Sequence, residues 1–482
     1  MKKNILFVIL VLLFVSCNDF LEEVPKDRLT ENNFYTSKAD AIASVNSIYV
    51  PVRSNFRTLY MLMLDIEADY ALGRGSTMPL GEYQGFDQTN IDRAATIWLN
   101  FYQSIRNANI AIERITGNKM IESEKNSLVA EARFLRAYCY YHLVRNWGPV
   151  PLYLKVLNED TNRKTVDEVY QAIINDLQAG ETDLPSTLAQ FGHPTKWSAK
   201  ALLAEVYLTK GEWILAKEKA KEVMDCNLFA LVDVNVADDF DKIFGATVNG
   251  TKEEIFYLKF NRTDGWEWPQ NLLWSDTKFS PFGNYVIYSV PGPFFTNWNS
   301  NDFRKKWNVF TTYISRTTGV VQTLPSSTPI LCSKFRDPVA SKRDGHANDY
   351  PILRYADILL IYAEAAVLAD NAVSPLALEC LNKIKRRGYG YPNNTVSIAD
   401  FPSTGWTVDS FRNTVIQERA YELFMEGKRW FDLKRLGIDK LKELIRTNKG
   451  KSVQDKHLLW PIPQQEIDTN PNISQEDQNP GY

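Results

Sequence analysis

Residues 194–225 read PTKWSAKALLAEVYLTKGEWILAKEKAKEVMD, and this stretch restricts the fold more tightly than any other. Ala199, Leu202, Leu203 and Val206 fall at i, i+3, i+4 and i+7, one face of a helix. Gly211 interrupts the run. A second run follows, with Trp213, Ala216, Ala220 and Val223 on one face and mostly Lys and Glu on the other. Two amphipathic helices joined by a tight turn make a hairpin. The alanines let the two backbones approach closely, and Trp213 is expected in the core.

The hairpin resembles a tetratricopeptide (TPR) unit, which cannot bury its apolar face alone and needs stacked neighbours. Candidates for those neighbours are present. Ala130-Glu131, Ala204-Glu205 and Ala363-Glu364 each sit midway along an apolar helical run.

The N-terminus is a leader. Lys2 and Lys3 precede an apolar run from Ile5 to Val15, then Ser16-Cys17. A positive start and a short apolar run describe a signal peptide, too short to span a bilayer. A small residue followed by Cys resembles a bacterial lipobox, in which signal peptidase II cleaves before a cysteine that becomes lipid-modified. Phe14 stands where that motif usually has an aliphatic residue. Cys17 is therefore the expected lipidation site and the only expected membrane attachment. The other cysteines, Cys139, Cys226, Cys332 and Cys380, have no CxxC spacing, so zinc and dithiol redox motifs are absent.

A chain of 482 residues with 44% hydrophobic content can bury a large core. Its formal net charge of -3 gives no general attraction to nucleic acid. The clearest basic cluster, Lys383, Lys385, Arg386 and Arg387, closes a helix, where cations complement the helix dipole.

Taken in order, residues 1–16 are the signal peptide. Residues 17–228 form a helical region that begins with the acidic tether NDFLEEVPKDRL. Its first helix starts at Ser37, with Asp40 completing a capping box. Helices are predicted over 94–115, 122–146 and 166–179, before the hairpin. Between the first helices lies ALGRGSTMPLGEYQGFDQTN, a Gly-rich loop too long for a simple connector. Over residues 229–349 helical periodicity fades, and Gly, Pro, Asn and aromatics take over. Trp266, Trp268, Trp274, Trp298 and Trp307 all lie there. Residues 350–482 return to helix in YPILRYADILLIYAEAAVLA, apolar nearly all round and therefore central.

Five segments match one family in its own order. The lipobox followed by DFLEE, then AEARFLRAYCYYHLVRNWGPVPL, YPILRYADILLIYAEA, ERAYELFMEGKRWFDLKR and the tail HLLWPIPQQEIDTNPNISQEDQNPGY resemble the SusD/RagB family of Bacteroidetes outer-membrane lipoproteins. The resemblance implies a mainly α fold, in which TPR-like hairpins form a scaffold overlaid by a large irregular, loop-rich region. It implies a surface-exposed lipoprotein that captures a nutrient, usually a glycan and sometimes a peptide, for a SusC-like TonB-dependent transporter. The matching segments are scaffold. The family's ligand contacts follow no fixed motif, so the site must be argued from side-chain chemistry.

Sugar rings present C–H faces that stack on aromatic rings, and their hydroxyls need polar partners. Trp266, Trp268 and Trp274 sit among Asn261, Arg262, Asp264, Gln270 and Asn271, which supply both kinds of group. Arg74 and Tyr83 on the Gly-rich loop are expected to join them. The competing reading of these aromatics is that they pin an irregular segment onto the helices. Catalysis is not expected. Asp65, Glu67 and Asp69 lie close together, but helical spacing turns the first two to different faces, and such carboxylates are ordinary at a solvated helix end. His142, His193, His346 and His457 are scattered, Asp233, Asp238, Asp239 and Asp241 make no EF-hand pattern, and no cofactor motif is present. The readings that remain are a glycan-binding lipoprotein, a peptide-binding one, and a TPR-type adaptor without a small ligand. The tryptophan-rich region favours the first two.

Overall fold

The computed structural model describes residues 37–117, 120–157, 161–187, 190–268 and 272–482. Cys17, Gln270 and Asn271 lie outside them.

The fold is mainly α. Helix α1 (Lys38–Arg57) starts as its sequence predicts: the Ser37 hydroxyl accepts from the Asp40 backbone N–H, and the Asp40 carboxylate accepts from the Ser37 N–H at 2.9 Å. The short α2 (Tyr60–Glu67) is buried at every position. Then come α3 (Gln88–Thr116), α4 (Glu122–Trp147), α5 (Val166–Asp183), α6 (Lys196–Lys210) and α7 (Trp213–Asp225). After the irregular region follow α8 (Tyr355–Asp370), α9 (Pro375–Gly388), α10 (Val408–Glu422), α11 (Arg429–Arg435) and α12 (Ile438–Lys449). Packing runs from neighbour to neighbour: α1 on α3, α3 on α4, and so on to α7, which packs on α8. This succession is compatible with TPR-like stacking. Helix α8 is buried from Ala356 to Val367 because helices cover it on several sides.

Helix α6 ends where Gly211 takes φ 80°, a left-handed cap that glycine adopts without penalty. Ala216, Ala220 and Val223 fill the seam of the hairpin as expected. Trp213 does not. It stands at the first position of α7, beside the turn, and 39% of it remains exposed. The seam is closed by small residues one turn later, so the indole lies at its end.

Between Leu228 and Asp349 the described chain makes short strands and helical turns. Glu254–Leu258 pairs antiparallel with Tyr350–Arg354, and this ribbon joins the irregular region to the helices. Ser198 of α6 donates to the Ile255 carbonyl at 2.9 Å, and Phe134 of α4 meets Phe256 edge-on at 5.0 Å.

Buried ion pairs lock the same junction. Arg354 reaches Glu253 at 2.8 Å, Glu422 at 2.6 Å and Glu426 at 2.8 Å. Arg387 pairs with Glu253 at 2.5 Å and also with Glu422. Arg386 of the basic cluster pairs with Glu379 at 2.7 Å and Asp400 at 2.5 Å. Arg386 and Arg387 are therefore structural, held by ion pairs that the helix-dipole reading did not foresee.

Asp65, Glu67 and Asp69 are not on a solvated helix end. All three are buried. Asp65 accepts from Tyr70 Oη and from Gly427 N, Glu67 accepts from Trp460 Nε1 at 3.0 Å, and Asp69 pairs with Arg429 at 2.7 Å. The last third of the chain covers this end of α2, which the local sequence could not show. Their placement leaves no carboxylate pair open to a substrate.

Candidate functional site

The Gly-rich loop is compact. Leu72–Gly73 forms two residues of antiparallel strand with Ile287–Tyr288, and the Arg74 N–H donates to the Val286 carbonyl at 2.7 Å. A helical turn, Gly75–Thr77, and a short helix, Met78–Gly81, follow. A Cβ on Gly73 would fall 2.0 Å from the Thr77 carbonyl oxygen, so only glycine allows this tight return. The pairing delivers the Arg74 side chain to the irregular region. Its guanidinium carbon lies 4.5 Å from the centre of the Tyr285 ring.

Tyr285 leads to Trp274. Leu272–Leu273 pairs with Asn284–Tyr285, and the Tyr285 and Trp274 ring centres are 5.3 Å apart. Gly283 makes this possible: a Cβ there would fall 2.0 Å from the Ser275 nitrogen. On its other side, Trp274 meets Tyr313 at 5.1 Å. Tyr313 rides on a hairpin, Thr312–Ile314 paired with Val321–Thr323, and donates to Gln322 across it at 2.6 Å. Buried Asp276 ties that hairpin down, accepting from Ile314 N and, at 2.6 Å, from Lys278 N.

The result is a row: Arg74, Tyr285, Trp274, Tyr313. Successive rings are turned 35° and 45° from each other, so the row is curved. Arg74 is exposed and the three rings are half-buried. The inner edges therefore anchor the rings while the outer edges meet water. Flat apolar surface beside a guanidinium and an amide suits a ligand with C–H faces and polar substituents. Two deeper clefts lie elsewhere. One of about 510 Å³ is lined by Phe191, Trp197 and Phe229, and one of about 570 Å³ by Tyr102, Arg106 and Tyr153. We favour the row because it brings stacking and hydrogen-bonding groups together on one open surface.

The structure thus brings together two of the five residues expected at the site, Arg74 and Trp274. Trp266 stands apart, half-buried, with the Arg53 guanidinium 4.7 Å from its ring. Trp268 is a correction. It is 4% exposed, donates from Nε1 to the Asn348 carbonyl at 2.9 Å, and packs among Phe56, Phe260 and Phe335. It pins the irregular segment to α1 and cannot offer a face to a ligand. Tyr83 is a second correction. It is 7% exposed, its hydroxyl donates to the Glu67 carbonyl, and burial raises its pKa well above that of a free phenol. Its ring lies in the core because the loop folds inward. Tyr285 and Tyr313 were missed. Each lies in a short extended stretch, NYVIYS and TTYIS, and that β-like composition was the available signal.

Sequence comparison agrees with the architecture. Two family models match, one described as "SusD family" over residues 263–482, the other as "Starch-binding associating with outer membrane" over residues 19–208. SusD-like protein P2 of Formosa agariphila is 30% identical, with the alignment covering 100% of both chains. The chain belongs to the SusD family. Solved SusD-like structures share the fold. A SusD homolog from Bacteroides thetaiotaomicron superposes with a TM-score of 0.78 at 21% identity, covering 94% of this chain and 98% of its own. A laminarin-binding SusD-like protein gives 0.74 at 21% identity, covering 93% and 100%. No described helix is long and apolar enough to cross a membrane.

Proposed function

We propose that this SusD-family protein is a glycan-binding lipoprotein, anchored at the cell surface through a lipid on Cys17, that passes its ligand to a SusC-like TonB-dependent transporter. The observation that carries the binding step is the curved row of Tyr285, Trp274 and Tyr313 ended by Arg74. Support comes from relatives: a laminarin-binding SusD-like protein shares the fold, and the matching family model is described as starch-binding associating with outer membrane. The Ser16-Cys17 lipobox supports the anchor.

The test begins with a polysaccharide and oligosaccharide array, followed by calorimetry on the best ligand. Stacking on one aromatic ring is worth about 1–3 kcal/mol in nucleic-acid binders. On that scale Trp274→Ala should weaken glycan binding by roughly ten- to a hundredfold while the circular dichroism spectrum stays unchanged. Parent-like binding by Trp274→Ala and Tyr313→Ala would move the site elsewhere. Cys17→Ala should lose palmitate label and leave the membrane fraction. A tagged protein should bring down a much larger outer-membrane partner from detergent extracts.

A further inference from the structure

Arg74 has an unusual set of contacts. Its backbone N–H and C=O are used in the strand pairing and the following turn, but its guanidinium touches only the Tyr285 ring. No carboxylate lies within ion-pair distance of it among the described residues. By contrast, buried arginines such as Arg354, Arg387 and Arg429 are paired with acids. Two acids on the segments that build the row are already engaged. Glu82 pairs with Lys451, and Asp276 is buried and accepts from two backbone N–H groups. At the far end of the row, Arg316 occupies the turn of the hairpin that carries Tyr313. It is exposed and likewise has no carboxylate partner among the described residues.

A guanidinium presents a planar fork of donors that matches a carboxylate or a sulfate-type oxyanion. An arginine stacked on a ring keeps that fork facing outward, at a fixed height beside the aromatic surface, with little side-chain entropy left to lose on binding. A neutral sugar could accept hydrogen bonds from these donors through its hydroxyls, but only an anionic one would also compensate the two positive charges. We propose that the ligand is an anionic oligosaccharide, carrying carboxylate or sulfate groups that Arg74, and secondarily Arg316, receive while its pyranose faces lie on Tyr285, Trp274 and Tyr313.

This rests on the glycan-binding reading of the same row, and the experiment separates the two. Full-length mature protein is titrated with three oligosaccharides of matched length: an oligogalacturonate, a sulfate-ester-bearing carrageenan fragment and a neutral laminari-oligosaccharide. An oligoglutamate peptide is the fourth probe. At least one anionic sugar should bind about tenfold or more tighter than the neutral one, and which one identifies the anion. Charge-assisted hydrogen bonds of this kind account for about a ten- to hundredfold change. Arg74→Gln should remove most of that preference, Arg74→Gln with Arg316→Gln the rest, and Arg74→Lys should retain part of it. The preference should shrink between about 0.1 M and about 1 M salt, as the Debye length falls from about 10 Å to about 3 Å. Arg74 is exposed and only its backbone holds the strand, so these variants should fold like the parent. Equal or tighter binding of the neutral sugar, still weakened by Trp274→Ala, would overturn the charge assignment and leave the platform standing. An anionic preference that survives the double arginine variant would overturn the assignment to these residues. Binding of oligoglutamate alone, or of no probe, would overturn both readings.

Discussion

Asp69 and Arg429 are 360 residues apart in sequence and meet in the interior. Arg429 donates from Nε to one Asp69 oxygen at 2.8 Å and from Nη2 to the other at 2.7 Å. Asn448 adds a third bond at 2.8 Å. Neither partner is more than 2% exposed. Burial alone would raise the Asp69 pKa, but the Arg429 charge and these hydrogen bonds outweigh it and hold the carboxyl below its ordinary value. Asp69→Ala removes the anion and leaves a guanidinium that cannot shed its proton, with the Ile416 carbonyl at 3.2 Å as its remaining partner. Removing one member of a buried pair typically costs about 3–5 kcal/mol. Arg429→Met should cost less, because the stranded carboxyl can take up a proton. Replacing both, Asp69→Leu with Arg429→Met, should cost less than Asp69→Ala alone, since no charge is left unpaired.

Urea unfolding followed by circular dichroism gives the three values. The pH dependence is a second reading of the same pair. A carboxyl with a depressed folded pKa contributes stability above its unfolded value, about 3.9, and loses it as pH falls through the folded value. The gap between the parent and Asp69→Asn should therefore be full at neutral pH and narrow only once pH falls below the unfolded value of about 3.9. A cost under about 1 kcal/mol for Asp69→Ala would mean that the pair contributes no more than a surface ion pair, and the reasoning would fail.

Glu67 works the other way. Burial pushes its pKa up to about 8, so between about pH 4.3 and 8 the folded state holds a proton that the unfolded chain has released, and stability falls as pH rises. Glu67→Gln should match the parent near pH 4.5 and exceed it near pH 8 in thermal melts. Burial also pushes Lys449 down to about 7 and Lys434 down to about 8, but both proteins carry those lysines; parallel curves would refute the assignment. Trp268→Ala should cost roughly 3–5 kcal/mol, as for a buried tryptophan, and leave glycan affinity of the folded protein unchanged. Trp213→Ala should cost well under that range, and a loss within it would show that the indole is core after all.

Much of the scaffold was legible because it is local. The Ser37–Asp40 box, the Gly211 turn and the Ala-lined seam of α6 and α7 depend on residues a few positions apart. Trp213 was misplaced because periodicity gives a face but not the point where the packed seam ends. Asp65, Glu67 and Asp69 were misread for a related reason. Their partners, Gly427, Trp460 and Arg429, arrive from the other end of the chain.

The candidate site was half legible, and the division follows from register. Trp266, Trp268 and Trp274 are neighbours in sequence, yet each meets different partners. Trp268 pairs with His346 and is drawn under Phe335, whereas the strand before Trp274 pairs with Asn284–Tyr285 and leaves its indole at the surface. Composition could place rings and amides in the region. It could not say that two-residue pairings, each relying on a glycine at Gly73 or Gly283, would set Arg74 on Tyr285 and Tyr285 on Trp274. The division also has a functional consequence. The outer groups of the row, Arg74, Tyr313 and Gln322, take part in no buried ion pair among the described residues. Their side chains can therefore change without disturbing the scaffold. A binding protein whose ligand differs between relatives needs that freedom, and it explains why the segments that reveal the family say nothing about what is bound.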